Sequence, residues 1–215
     1  RKAGLKSTII LWIFTNHMYD VRRTVEGCKN FKDLKATITD VVFIKRMAKS
    51  FGAKKKNTFE NHESTKKEVM LTEKRVIAAC KKVEAAGERC VLIVYCGGHG
   101  ASSDEKQVYL FNGANSKDVS YNIEMKLRMY VNMTTVFSKL HVFAIYDCCR
   151  VNFKNLEGLN RGGNVEAEAA DFRLAEIITC SYFHIQACGP GGVADADGGF
   201  AERIFNHAKK FADVY

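Results

Sequence analysis

No apolar run in these 215 residues comes near the roughly 20 consecutive residues that a membrane-spanning helix requires. The opening Arg-Lys-Ala-Gly-Leu-Lys lacks the long apolar region of a signal peptide, and its start without methionine reads as an excised or trimmed piece. A membrane partner is therefore not expected. None of the eight cysteines forms a CxxC pair or a cysteine-histidine cluster at zinc-finger spacing, which argues against a structural metal. Cys80, Cys90, Cys96 and Cys180 sit inside apolar segments rather than at turn-rich spacings. That pattern favours reduced thiols and a cytoplasmic setting over a secreted disulfide framework. Internal repeats are also absent.

What the chain does carry is ordinary globular composition, 47% hydrophobic and 27% charged, at a length that one domain with a substantial core accommodates. Its net charge of +9 raises the question of a nucleic-acid partner. Lys54-Lys55-Lys56 is the one tight cluster, and the other bases are interspersed with acids on expected helix faces, the pattern of a solvated surface. No nucleic-acid partner is expected.

In chain order, Ser7 to Phe14 reads as a buried strand, apolar on both faces. A polar surface loop, 15–35, follows. Ile38, Val41, Val42, Met47 and Ala48 recur at helical spacing, with Gly52 as the stop. The segment 53–63 is polar and rich in Lys and Asn. Thr65 and Glu68 form a capping-box pattern that opens a helix ending at Gly87. A strand over 90–95, a tip over 101–106 and a short strand over 107–111 come next. Helical spacing over 123–140 leads into a strand over 142–146. The glycine-rich stretch 152–172 reads as a linker. Another strand or two lie within 177–187. After the Gly189-Pro-Gly-Gly192 loop, Phe200, Ile204, Phe205, Ala208 and Phe211 mark one face of a closing helix. Strands alternating with helices predict an α/β fold, a three-layer α-β-α sandwich on a mostly parallel sheet of about six strands.

Two of these strands share one design. Cys90-Val-Leu-Ile-Val-Tyr-Cys-Gly-Gly-His-Gly100 runs apolar and stops at a histidine between glycines. His141-Val-Phe-Ala-Ile-Tyr-Asp-Cys-Cys-Arg150 runs apolar and stops at an acid, two thiols and a base. Sites in open parallel sheets form beyond the carboxyl ends of the strands, so neighbouring tips would set His99 beside Cys149. A thiol attacks as its thiolate, which a nearby imidazole generates and stabilises. Acyl transfer also needs donors for the oxyanion. The backbone N–H groups of Gly100 and Cys149 are the candidates, and glycines at 97, 98 and 100 permit close substrate approach.

These residues bring a family into view. Val-Tyr-Cys-Gly-Gly-His-Gly after one strand and Asp-Cys-Cys-Arg after another resemble the caspase-like cysteine peptidases, most closely paracaspases and metacaspases. The spacing from His99 to Cys149 is 149 − 99 = 50 residues, and the caspase histidine lies about 50 residues upstream of its cysteine. The resemblance spans nearly the whole chain: 1–151 is like the large subunit, 152–172 like the linker, and 173–215 like the small subunit, within one domain. It implies a Cys-His dyad without a cofactor, and protein or peptide substrates. In the metacaspase and paracaspase branches it implies an acidic S1 pocket for Arg or Lys. The Asp of Asp-x-Cys maps to Asp147, the acid at the start of the first helix to Asp40, and an acid in the small-subunit loop to Asp195. A buried carboxylate near a thiol is costly until an incoming guanidinium neutralises it bidentately.

Competing assignments exist. Gln186-Ala-Cys-Gly-Pro190 nearly matches the caspase signature Gln-Ala-Cys-[Arg/Gln/Gly]-Gly and would make Cys188 the nucleophile with His141 as its base. His141, however, opens a strand and is followed by no glycine. Cys148 reads as a packing thiol, and His17, His62, His184 and His207 as surface or packing residues. Lys154 and Arg161 in the linker are candidate self-processing sites. Glu166, Glu168 and Asp171 are too loosely spaced to nominate for calcium. Members of the resembled clan continue past the final helix with an edge strand that supports the pocket and mediates dimerisation. The end of this chain at Tyr215 thus keeps open an inactive interaction module, and a homodimer is one candidate assembly. A nucleic-acid-binding α/β domain, resting on charge alone, is the third reading.

Overall fold

The fold is described from a computed structural model over residues 6–17, 34, 36–103, 106–110, 120–133, 135–148, 151–152, 181–188 and 199–212. In chain order the elements are β1 (Ser7–Thr15), α1 (Ala36–Ser50), a 3₁₀ turn (Lys55–Asn57), β2 (Thr58–His62), α2 (Lys66–Ala85) and β3 (Arg89–Gly97). Then come β4 (Gly100–Ser103), β5 (Lys106–Leu110), β6 (Ser120–Tyr121), α3 (Ile123–Asn132), β7 (Leu140–Asp147), β8 (Val151–Asn152), β9 (Ser181–Gln186) and α4 (Phe200–Ala212). Five parallel strands form the main sheet in the order β2-β1-β3-β7-β9, one fewer than the sequence suggested. A second sheet, β6-β5-β4-β8, sits beyond its carboxyl edge.

The continuous apolar character of β1 and β3 follows from burial on both faces. Ile10, Trp12, Phe14, Leu92 and Val94 join α2 and α3 in one core. Leu11, Ile13, Ile93 and Ile145 join α1 and α4 in the other. This is the α/β sandwich that alternating strands and helices predict. Thr65 caps α2 as expected: its hydroxyl accepts from the Glu68 N–H, and the Glu68 carboxylate accepts from the Thr65 N–H at 2.8 Å. Among the described residues no helix is long and apolar enough to cross a membrane.

Four sequence readings need correction. The polar segment 53–63 contains β2, an edge strand paired with β1. Edge position tolerates its charge, while Phe59 packs on the core and the buried Asn61 accepts from the Trp12 indole N–H at 3.3 Å. Within the predicted tip at 101–106, Ala101 to Ser103 and Lys106 belong instead to β4 and β5, which pair antiparallel. On α1 the inward residues are Val41, Ile44, Met47 and Ala48, whereas Ile38 and Val42 are 57% and 46% exposed. Finally, helical structure in 123–140 stops at Asn132. The carboxylate of Glu84 on α2 accepts from the Ser138 and Lys139 N–H groups, both at 2.8 Å, and so pins the turn that follows.

Candidate active site

Strands β3 and β7 run side by side in parallel, and their last paired residues are Gly97 and Asp147. Both tips expected to carry the chemistry therefore end together, at the carboxyl edge where such sheets place their sites. The Gly97 carbonyl accepts from the Asn16 N–H and from the Tyr109 hydroxyl, each at 3.1 Å. The next residue, Gly98, donates its N–H to the Asp147 carbonyl at 3.3 Å and holds φ at 152°, a backbone region open to glycine alone. His99 follows and is half-buried. Gly100 is buried and opens β4 opposite Tyr109.

Pairing resumes beyond the histidine, where Ala101 stands in parallel register with Val151 and Ser102 with Asn152. The offset is 147 − 97 = 50 before the gap and 151 − 101 = 50 after it. His99 and Cys149 carry the same offset in sequence. Cys149 itself lies outside the described residues, as do Asp195, Lys154, Arg161 and Glu166, Glu168 and Asp171. The neighbouring Cys148 is buried, with its thiol directed at the Cys96 carbonyl 3.8 Å away. That thiol faces the α2/α3 core, the opposite side of the sheet from Asp147.

Two of the three acids expected to line a pocket come together. Asp40 projects from α1 and Asp147 from the tip of β7, near enough that the charge of Asp147 acts on Asp40. Asp40 is 5% exposed. Its pKa is raised to about 6, first by burial and then by Asp147, with Glu202 adding and a Gly199 backbone N–H opposing. Asp147 is likewise raised to about 6 by burial, against a hydrogen bond from Tyr95 and the charge of Arg203. The Tyr95 hydroxyl donates to Asp147 Oδ2 at 3.0 Å. In both acids burial is the largest cause of the shift.

Sequence reading did not single out Tyr95, Asn16 or Arg203. Strand alternation carried the signal for Tyr95: it shares parity with Ile93, and Asp147 with Ile145, so both face the α1/α4 layer. Arg203 and Asn16 offered no comparable pattern. The structure also bears on the Cys188–His141 alternative. His141 is at the amino end of β7, with Nδ1 2.8 Å from Ser181 Oγ. Cys188 follows the carboxyl end of β9 and donates to the Cys148 carbonyl at 3.6 Å. The intervening strand, at about 3.3 Å per residue, separates the two by roughly 20 Å, so they form no dyad.

Three of the histidines read as surface or packing residues have carboxylate neighbours. His17 Nδ1 lies 2.6 Å from Glu63, His62 Nε2 2.8 Å from Glu60, and His184 Nδ1 3.6 Å from Glu124. No group of three or more His, Cys, Asp or Glu side chains among the described residues is arranged to hold a metal ion. Cys80, Cys90 and Cys96 are buried free thiols. Compared with known protein families and with curated proteins, the chain finds no match.

Proposed function

We propose that this chain is a cysteine endopeptidase in which Cys149 is the nucleophile and His99 the acid/base, cleaving after Arg or Lys. One observation carries the reading: the segments 97–102 and 147–152 keep a common register of 50 on both sides of the His99–Cys149 pair. Paired residues flanking both His99 and Cys149 in sequence support their serving one site. The Asp40–Asp147 pair beside this tip supports a basic P1 residue.

The chemistry follows from the groups. The Cys149 thiolate attacks the scissile carbonyl carbon, a C–S bond forms, and the carbonyl pair moves onto oxygen. Backbone N–H groups of Gly100 and Cys149 stabilise that oxyanion. Collapse expels the amine, which takes its proton from the His99 imidazolium. Water then attacks the thioester, His99 receives its proton, and the departing sulfur re-forms the thiolate. The substrate guanidinium, by neutralising Asp40 and Asp147, contributes binding that a substrate with acidic P1 would forfeit.

Incubation with an arginyl chloromethylketone tests the assignment. Covalent labelling seen by intact mass, lost on Cys149→Ala and kept on Cys148→Ala, is the expected result. Absence of labelling in the unsubstituted protein would replace the peptidase with an inert interaction module of the same fold.

A further inference from the structure

We infer that a second site, at the end of the sheet opposite His99 and independent of the peptidase reading, binds a small oligophosphate. A cavity of about 650 Å³ opens between the start of β1, the 3₁₀ turn, β2 and the second half of α2. Its volume lies in the range of small-molecule sites. From Ser7, on its wall, to Thr15, beside Gly97, β1 runs for about 25 Å at 3.3 Å per residue.

The lining is one-signed. Lys6, Lys54, Lys56, Arg75 and Lys82 contribute five cations from three segments of chain, against the single carboxylate of Glu88. Glu88 is already engaged: Lys6 Nζ and the Thr8 hydroxyl both donate to it, and they hold its pKa low. Lys54, Lys56, Arg75 and Lys82 have no salt-bridge partner among the described residues. Arg75 is stacked 5.6 Å over the Phe59 ring, which limits the orientations of its guanidinium fork before any ligand arrives. The last carbonyls of α2 would repel an anion, but those of Val83 and Glu84 are taken by the Glu88 and Gly87 N–H groups.

Lys56, Arg75 and Lys82, with Lys54 sharing the charge of Glu88, surround a concavity of this size and match a ligand of three to four negative charges. A phosphate chain supplies them within one small molecule. A nucleic-acid duplex would need a surface that tracks its backbone, whereas these cations converge on a hollow. The apolar wall formed by Phe59, Ala79 and Val83 leaves room for a base, so the phosphates can arrive either as an inorganic chain or on a nucleotide.

Calorimetric titration of the whole chain at physiological salt, with sodium triphosphate in one arm and ATP in the other, tests this. A single site of micromolar affinity for at least one probe is expected. Arg75→Glu and Lys82→Glu should each weaken it about tenfold or more, and Lys49→Glu, on an exposed lysine of α1 outside the cavity, by less than about twofold. Equal binding of both probes identifies the phosphate chain as the determinant; a preference for ATP adds the base. All three substituted side chains are exposed, and a thermal melt without ligand checks that each variant folds. Undetectable binding of both probes at millimolar concentration, or equal weakening by Lys49→Glu, overturns the inference. So does tighter, steeply salt-dependent binding of duplex DNA, which would make this face a nucleic-acid surface.

Discussion

Tyr95 donates its phenolic hydrogen to Asp147 across the β3–β7 pair at 3.0 Å, and the ring that carries it lies over Gly97. A methyl group added at Gly97 would stand 2.9 Å from the Tyr95 Cε1 and hydroxyl and 2.8 Å from Thr37 Cγ2. The absent side chain at position 97 is thus what lets a tyrosine of one strand reach the acid of the next.

Gly97→Ala follows as a first prediction. Tyr95 is fully buried and packed between strand and helix, so it cannot swing clear without disturbing the α1/α4 core. The expected cost is about 1–3 kcal/mol of stability, the range for overpacking. Gly97→Ala combined with Tyr95→Phe should recover only part, because the Cε1 and Thr37 clashes remain. Urea melts of the two variants against the unsubstituted protein decide it. A wild-type midpoint for Gly97→Ala would show that the tip is looser than these contacts require.

The paired acids yield a prediction about pH. Asp40 and Asp147 each titrate near pH 6 in the folded chain, above the ordinary carboxylate value near 4. Between pH 4 and 6 the folded protein therefore holds protons that the unfolded chain has released, and stability falls as pH rises through that window. Above pH 6 the cost is constant. Asp40→Asn with Asp147→Asn should raise the stability at pH 7.5 by about 1–2 kcal/mol, roughly 3–6 °C in Tm for a chain of this size. Below pH 4 the gain should vanish. A gain that is the same at pH 3.5 and 7.5 would mean that burial does not raise the two carboxyls above their ordinary range.

How much of this was legible beforehand depends on which force fixed each part. Strands β1, β3 and β7 announce themselves where burial on both faces demands an unbroken apolar run, as in Ile9 to Phe14 and Val91 to Tyr95. Strand β2 escaped, because an edge strand keeps only every second residue inside, and Thr-Phe-Glu-Asn-His spends its alternation on Phe59 and Asn61. The meeting of Asp40 and Asp147 was reached through resemblance; no local pattern joins residues 107 apart (147 − 40). Their partners Tyr95 and Arg203 depend on how α1 and α4 cross the sheet, a matter of packing that no stretch of sequence encodes alone.

On the other side of the sheet, Tyr130 of α3 donates to the buried carboxylate of Glu73 on α2. Tyr130→Phe removes a donor from a buried anion and leaves the shape intact, so the loss measures the hydrogen bond rather than a cavity. A cost of about 1.5–3 kcal/mol is expected for a bond to a charged group. Glu73→Gln in the Tyr130→Phe background should return part of it, since a neutral amide tolerates the missing donor better. Chemical denaturation reads both, and additive effects of the two substitutions would show that the pair does not interact.

The strongest demand on the proposed function concerns substrate choice. If Asp40 and Asp147 receive a P1 guanidinium, hydrolysis of Arg-P1 substrates should rise with pH through about 6, where the pair ionises. Asp147→Asn keeps an acceptor for Tyr95 but removes the charge, and should lower kcat/KM for Arg-P1 substrates roughly 100-fold, the scale of a lost buried charge pair. Alkylation of Cys149 by iodoacetamide, a small neutral reagent that makes no use of the pocket, should change less than about threefold. A specificity panel completes the test. Preference for Asp at P1 would refute the acidic-pocket assignment, whereas equal losses in alkylation and hydrolysis on Asp147→Asn would move that acid from recognising substrate to holding the strand tip in place.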